Sequence, residues 1–131
     1  MLAARPLAVL LALIACAWFA LGFRQARDTD RASTIVSAAA LTPNQTAQAA
    51  SLLRAAATLN PDREVDMLRG RLALRVNDRV RAVQTFEQVS REEPMNIEPW
   101  VWLTRSATSA KIFASALAAI GRLAPHVRAT P

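Results

Sequence analysis

Tyrosine is absent from this sequence, and histidine, lysine and cysteine occur once each, at His126, Lys111 and Cys16. Each shortage removes a class of chemistry. One cysteine cannot close a disulfide within the chain, and no cysteine cluster exists to hold zinc. A single histidine near the C-terminus leaves nothing for a His-based triad or a histidine metal site. Glycine occurs only at Gly22, Gly70 and Gly121, so no glycine-rich loop is available to cradle a phosphate. Glu92 and Glu93 stand beside Pro94 at the expected end of a helix, where solvated charge is the commoner role. No run alternates Val, Ile or Thr with polar residues, which argues against a sheet. Neither catalysis nor a metal or cofactor is expected.

What the chain does have is alanine and arginine, a mixture that favours helix over strand. The formal charge of +6 and the pI near 11.4 come almost wholly from arginine. Arginine so far above lysine, beside so much alanine, is the mark of a GC-rich bacterial genome. The basic charge is therefore not taken as a sign of nucleic-acid binding. With 131 residues, the chain has room for one small domain behind an N-terminal segment.

That segment is an apolar run, Leu7 to Phe23, flanked by Arg5 and Arg24. As a helix it would be about 25 Å long, at the short end of what crosses a bilayer. Trp18, Phe19 and Phe23 gather toward its end, where aromatic rings favour the headgroup boundary. The reading is a short tail (1–6), a single-pass transmembrane helix (7–23) and a charged juxtamembrane linker (24–29). A cleaved signal peptide ranks behind it, because no small-x-small site precedes a polar stretch. Leu13-Ile14-Ala15-Cys16 resembles a bacterial lipobox, yet apolar residues follow Cys16 where polar ones are usual. The arginines Arg5 against Arg24, Arg27 and Arg31 are compatible with the domain on either side of a bacterial cytoplasmic membrane.

Beyond the linker the chain reads as successive helices. Asp28 or Asp30 can cap the first, which would run to Leu41. Thr42-Pro43 opens a second, and Asn60-Pro61-Asp62 ends it near Leu59. Val65, Leu68 and Leu72 give the third an apolar face; Val80, Val83, Phe86 and Val89 do so for the fourth. Trp100, Leu103 and Ala107, then Phe113, Ala116, Leu117 and Ile120, continue the pattern. Trp102 lies off Trp100's face, either packing on a neighbouring helix or contributing to a binding surface.

The spacing between helices is more specific than their faces. Gly70 and Ala82 are twelve residues apart, Ala82 and Phe86 four, and Ala82 and Pro94 twelve. Trp100 follows six beyond Pro94, and Leu103 three beyond that. Small Gly70 and Ala82 would let two antiparallel helices approach closely, with Phe86 filling the space one turn along. Asn77-Asp78 breaks the pair and Pro94 closes it. This pattern resembles the tetratricopeptide repeat, a helix-turn-helix unit of about 34 residues. Downstream, Trp100, Leu103, Ala116 and Ile120 keep its offsets, with Ser109-Ala110-Lys111 as the turn and Pro125 closing early. Upstream, Ala49, Leu53, Ala56 and Pro61 repeat the offsets of Ala82, Phe86, Val89 and Pro94. Arg69 stands where the family has leucine, and Asp66 where it has an aromatic.

The resemblance implies an all-α protein: a transmembrane helix, then a right-handed solenoid of antiparallel helix pairs over residues 30–125. The repeats are about 30–61, 62–94 and 95–125, with a disordered tail at 126–131. An ordinary helical bundle with coincidental spacing is the alternative. The resemblance further implies a concave groove for peptides, lined by Met67, Arg71, Leu74 and Arg75 on one helix and Val101 and Arg105 on the next. Arg71 and Arg75 are one turn apart and would project together toward an acidic or C-terminal carboxylate ligand. Solvated surface arginines are the bland alternative. The function expected is a scaffold holding a partner protein or peptide at the membrane. Two alternatives are an accessory subunit of a membrane enzyme and an arginine-mediated binder of anionic lipid or nucleic acid. The latter needs Arg54, Arg63, Arg69, Arg79, Arg81 and Arg91 in one patch. The apolar side of the last helix is open to a partner or to a second copy of the chain.

Overall fold

The computed structural model describes residues 4–57 and 63–128, with side chains for 9–57 and 63–124. Among these residues there are six α-helices and no strand: α1 (Ala4–Ser37), α2 (Pro43–Ala57), α3 (Arg63–Arg75), α4 (Arg79–Glu92), α5 (Ile97–Ser106) and α6 (Ala110–Arg128).

The first helix is longer than the sequence predicts. It is continuous for 34 residues, so 24–29 is helical rather than a linker, and no new helix starts at Asp28 or Asp30. Both aspartates are able caps, but capping needs the chain to leave the helix first, and no proline or glycine between Arg24 and Ser37 makes it do so. Extending a helix that already exists is far easier than nucleating another. The helix stops at Ser37, short of Leu41. Its N-terminal part is apolar and long enough to cross a membrane, and lies wholly outside the packed bundle. Trp18, Phe19 and Phe23 are more than two-thirds exposed. From Thr29 onward the same helix is core, burying Ala32 and Val36.

The turns follow local chemistry. Thr42 and Gln45 form a reciprocal capping box for α2: the Thr42 N–H donates to Gln45 Oε1 (2.9 Å) and the Gln45 N–H to Thr42 Oγ1 (3.2 Å). The predicted stop at Asn60-Pro61-Asp62 lies outside the described residues. Between α3 and α4, Asn77 takes the left-handed conformation (φ 62°). The Asp78 N–H donates back to the Ala73 carbonyl (2.8 Å) and the Asn77 N–H to that of Leu74 (3.0 Å). That is a Schellman motif, which satisfies carbonyls that the end of α3 leaves open. Asp78 also caps α4 by accepting from the Arg81 N–H (3.1 Å). Before α5, Asn96 accepts from the Glu98 N–H (3.0 Å). The last turn sits earlier than expected: 107–109 connect the helices, Ser109 accepts from the Ile112 N–H (3.3 Å), and Ala110 and Lys111 are already in α6. Pro125 does not stop α6, whose backbone is helical to Arg128. Proline removes one donor and need not end the helix around it. The rest of the expected tail, 129–131, lies outside the described residues.

Packing is ordered along the chain. Each helix touches the next, and α3 also touches α1 and α5, whereas among the described residues α2 does not meet α4, nor α4 α6. Contacts that skip a helix are thus confined to α1 with α3 and α3 with α5. Two core clusters fill the interior. One joins Ala32 and Val36 of α1 with Leu53 of α2 and Val65, Leu68 and Leu72 of α3. The other joins Met67 and Ala73 of α3, Ala82, Phe86 and Val89 of α4, Leu103 and Ala116. At Gly70 the Phe86 ring of α4 lies against α3. A Cβ there would lie 2.5 and 2.6 Å from the ring atoms of Phe86, which is itself fully buried. Three predicted apolar-face positions point outward instead: Val80, Phe113 and Leu117 are about half exposed or more. Each heads the outer edge of its helix's apolar stripe, which is wider than the surface the neighbouring helix covers.

Candidate functional site

Of the residues expected to line a groove, Arg71 and Arg105 meet over Trp102, while Val101 is half-buried on the same helix. The α5 helix presents Trp102 toward α3 and α4, where its ring stacks on Phe86 with centroids 5.9 Å apart and planes at 19°. The Arg71 guanidinium lies 4.8 Å from the Trp102 ring centroid and that of Arg105 5.0 Å. Each such contact contributes on the order of 0.5–1 kcal/mol at an exposed site. Glu98 completes the cluster. Its Oε1 accepts from Arg71 Nη2 and from Trp102 Nε1, the latter at 3.3 Å. One carboxylate thus joins the Arg71 guanidinium and the indole, four residues before Trp102 on the same helix face. The Arg71 Nε, also buried, has no hydrogen-bond partner.

The other expected groove residues do not join this cluster. Arg75 does not project with Arg71: it donates to the carbonyls of Ala38 and Ala39 (3.0 Å to the second), closing the corner after α1. Carbonyls left open at a helix end need donors, and Arg75 is within reach to supply them. Met67 is a core residue, 5% exposed. Leu74 packs against the second core cluster.

Beside the cluster a cleft of about 320 Å³ opens between α1, α3 and the start of α5, with Ser33, Arg63, Arg71, Asn96 and Glu98 on its walls and Met67 in its floor. Its charge is mixed, because Glu64 and Glu93 also line it. Arg63 is ion-paired with Glu92 across the α3 and α4 ends. The six arginines required for one basic patch are divided. Arg63 borders this cleft, while Arg54, Arg69 and Arg81 border a second one on the opposite side of α3.

No family model, curated protein or solved structure matches this chain. The tetratricopeptide resemblance is carried by the residues already named.

Sequence periodicity placed Trp102 off the apolar face of α5 and left open packing on a neighbouring helix or a binding surface; it stacks on Phe86 of α4. The available signal was its offset of four from Glu98, which sets indole and carboxylate on one face. Glu98 itself carried no signal that it would meet an arginine 27 residues earlier.

Proposed function

We propose that this chain is a membrane-tethered interaction scaffold whose α1, α3 and α5 side receives a peptide or protein segment of a partner. The observation that carries this reading is the Trp102 ring under Arg71 and Arg105, joined through Arg71 and Glu98 to the neighbouring cleft. Guanidiniums held against an indole face are oriented by that stacking, and their N–H forks suit a ligand carboxylate. The packing supports it. The contacts of α3 with both α1 and α5 are those a tetratricopeptide-like stack would make on its groove side. The mixed charge of the cleft suits a ligand that sets a carboxylate at the Arg71 and Arg105 cluster and polar groups along the cleft.

The anchor in this reading is the N-terminal part of α1 in a bacterial cytoplasmic membrane. Because α1 continues without a joint, the bundle rides on its residues 24–37, about 21 Å of helix. A partner bound in the groove is then held within roughly that distance of the bilayer, at high local concentration.

The test is affinity capture from detergent-solubilised membranes, run with the native chain and with Arg71→Glu plus Arg105→Glu. The expected result is a defined partner on the native chain, reduced about tenfold or more on the double variant. A native chain that is monodisperse and alone, or one whose partners are unchanged in the variant, overturns the reading.

A further inference from the structure

Which helix ends meet gives the direction of each helix. Ser33 of α1 and Met67 of α3 line one cleft, and further along both helices Arg75 donates to the carbonyls of Ala38 and Ala39. The two helices therefore run the same way, away from the apolar part of α1. Arg63 at the start of α3 is ion-paired with Glu92 at the end of α4. The start of α3 and the α4–α5 loop, residues 93–96, thus share one end of the bundle, with Glu93 and Asn96 on the same cleft as Ser33. The turn through Asn77 and Asp78 lies at the other end.

The end with the α4–α5 loop is the one nearer the apolar run. Thr29 is the first buried residue of α1 and comes six positions after Phe23, so packing begins about 9 Å beyond the apolar run. The polar layer of a bilayer is itself about 5–8 Å deep on each side. The separation is therefore short. No proline or glycine lies between Arg24 and Ser37 to give α1 a kink at which the bundle could swing away.

The surface of that end suits lipid. Met95, in the loop, is 66% exposed, the most exposed large apolar side chain beyond Phe23 among the described residues. It follows Pro94, also exposed. On α1, Arg24, Arg27 and Arg31 fall at i, i+3 and i+7 on one exposed face, and none has an ion pair among the described residues. Asp28 and Asp30 stand beside them. The carboxylates next to the loop are engaged, Glu92 by Arg63 and Glu93 by the Asn96 Nδ2 (2.8 Å). Guanidinium forks match phosphate, and arginines just outside a bilayer are drawn to anionic headgroups.

We propose that this end of the bundle rests on the bilayer, with Met95 in the headgroup layer and Arg27 and Arg31 against lipid phosphates. The proposal rests on the reading of α1 as a membrane anchor and adds a second point of contact. Two contacts fix the orientation of the bundle on the membrane.

The test reads depth in the full chain, reconstituted into bilayer discs of phosphatidylcholine and phosphatidylglycerol in equal parts. In a Cys16→Ser chain, a nitroxide is placed on Met95→Cys, Val80→Cys or Phe19→Cys. Its collisions with oxygen and with a water-soluble nickel chelate are then compared. Val80 is the matched reference: it is 62% exposed and sits at the start of α4, about 20 Å along that helix from the loop. Expected are a Phe19 label in hydrocarbon, an aqueous Val80 label, and a Met95 label whose chelate collisions are lower than Val80's by about threefold or more. Adding Arg27→Glu plus Arg31→Glu should raise the Met95 label's chelate collisions about twofold. With the Phe19 label in hydrocarbon, a Met95 label as open to the chelate as Val80's, or one unmoved by the charge reversal, overturns the proposal and leaves the anchor standing. A Phe19 label open to the chelate overturns the anchor reading and this proposal with it.

Discussion

The α3–α4 pair and the α5–α6 pair share a plan but not a construction. In the first, every device of an antiparallel pair is present. A Schellman turn through Asn77 runs straight into the Asp78 cap, and Gly70 lets the Phe86 ring lie against the backbone of α3. In the second, the turn is a single serine cap of 3.3 Å, and Gly121 has nothing within 4 Å of where a Cβ would be. Phe113 and Leu117 of α6 face outward, 47% and 54% exposed. The same residue types therefore mean different things in the two pairs. A glycine is a contact in one and a helix-weakening gap in the other, and a phenylalanine is a core plug in one and a surface group in the other.

Matched substitutions would break or sharpen that contrast, read as shifts in the urea unfolding midpoint of the detergent-solubilised chain. The largest difference is expected at the phenylalanines. Phe86→Ala should cost about 3–5 kcal/mol, because a fully buried ring leaves a cavity under Trp102. Phe113→Ala should change stability by about 0.5 kcal/mol or less. Equal losses would mean that both pairs are built alike. Next come the glycines, which should differ in sign. Gly70→Ala forces a Cβ into a ring that cannot move away, an overpacking cost of about 1–3 kcal/mol that the gain of about 1 kcal/mol in helix propensity only partly offsets. Gly121→Ala should keep that propensity gain whole, so a destabilised Gly121→Ala chain would reveal an unseen contact on α6. Smallest is the difference between caps. Asp78→Ala should lose about 1 kcal/mol, and Ser109→Ala about half of that across its longer bond. Should Ser109→Ala prove the costlier, the last pair depends on its turn more than its packing shows.

Much of the fold was legible because short-range chemistry writes it. Thr42-Pro43-Asn44-Gln45 specifies a helix start from four adjacent residues, and Asn77-Asp78 specifies a stop and a start from two. The spacing set small Gly70 and Ala82 for a close approach with Phe86 one turn along; in the fold it is the Phe86 ring itself that lies against Gly70. Helix ends that rest on permissive residues were not readable. Asp28 and Asp30 can cap a helix, and Pro125 can end one, but neither compels it, and the surrounding chain decided the other way.

The site divides along the same line. From sequence alone came the all-helical class, the apolar N-terminal run, and arginine at positions 71 and 105. Only the folded chain decided that Arg71 would meet Glu98 and Trp102 while Arg75, one turn away, closed the α1 corner. Only the fold turned Asp66 and Arg69, unremarkable in sequence beyond their departure from a pattern, into an ion pair lining the second cleft. A helix's own period says which residues share a face. Which helix lies opposite that face, and at what crossing, depends on how all the apolar stripes close together, and that is a property of the whole core.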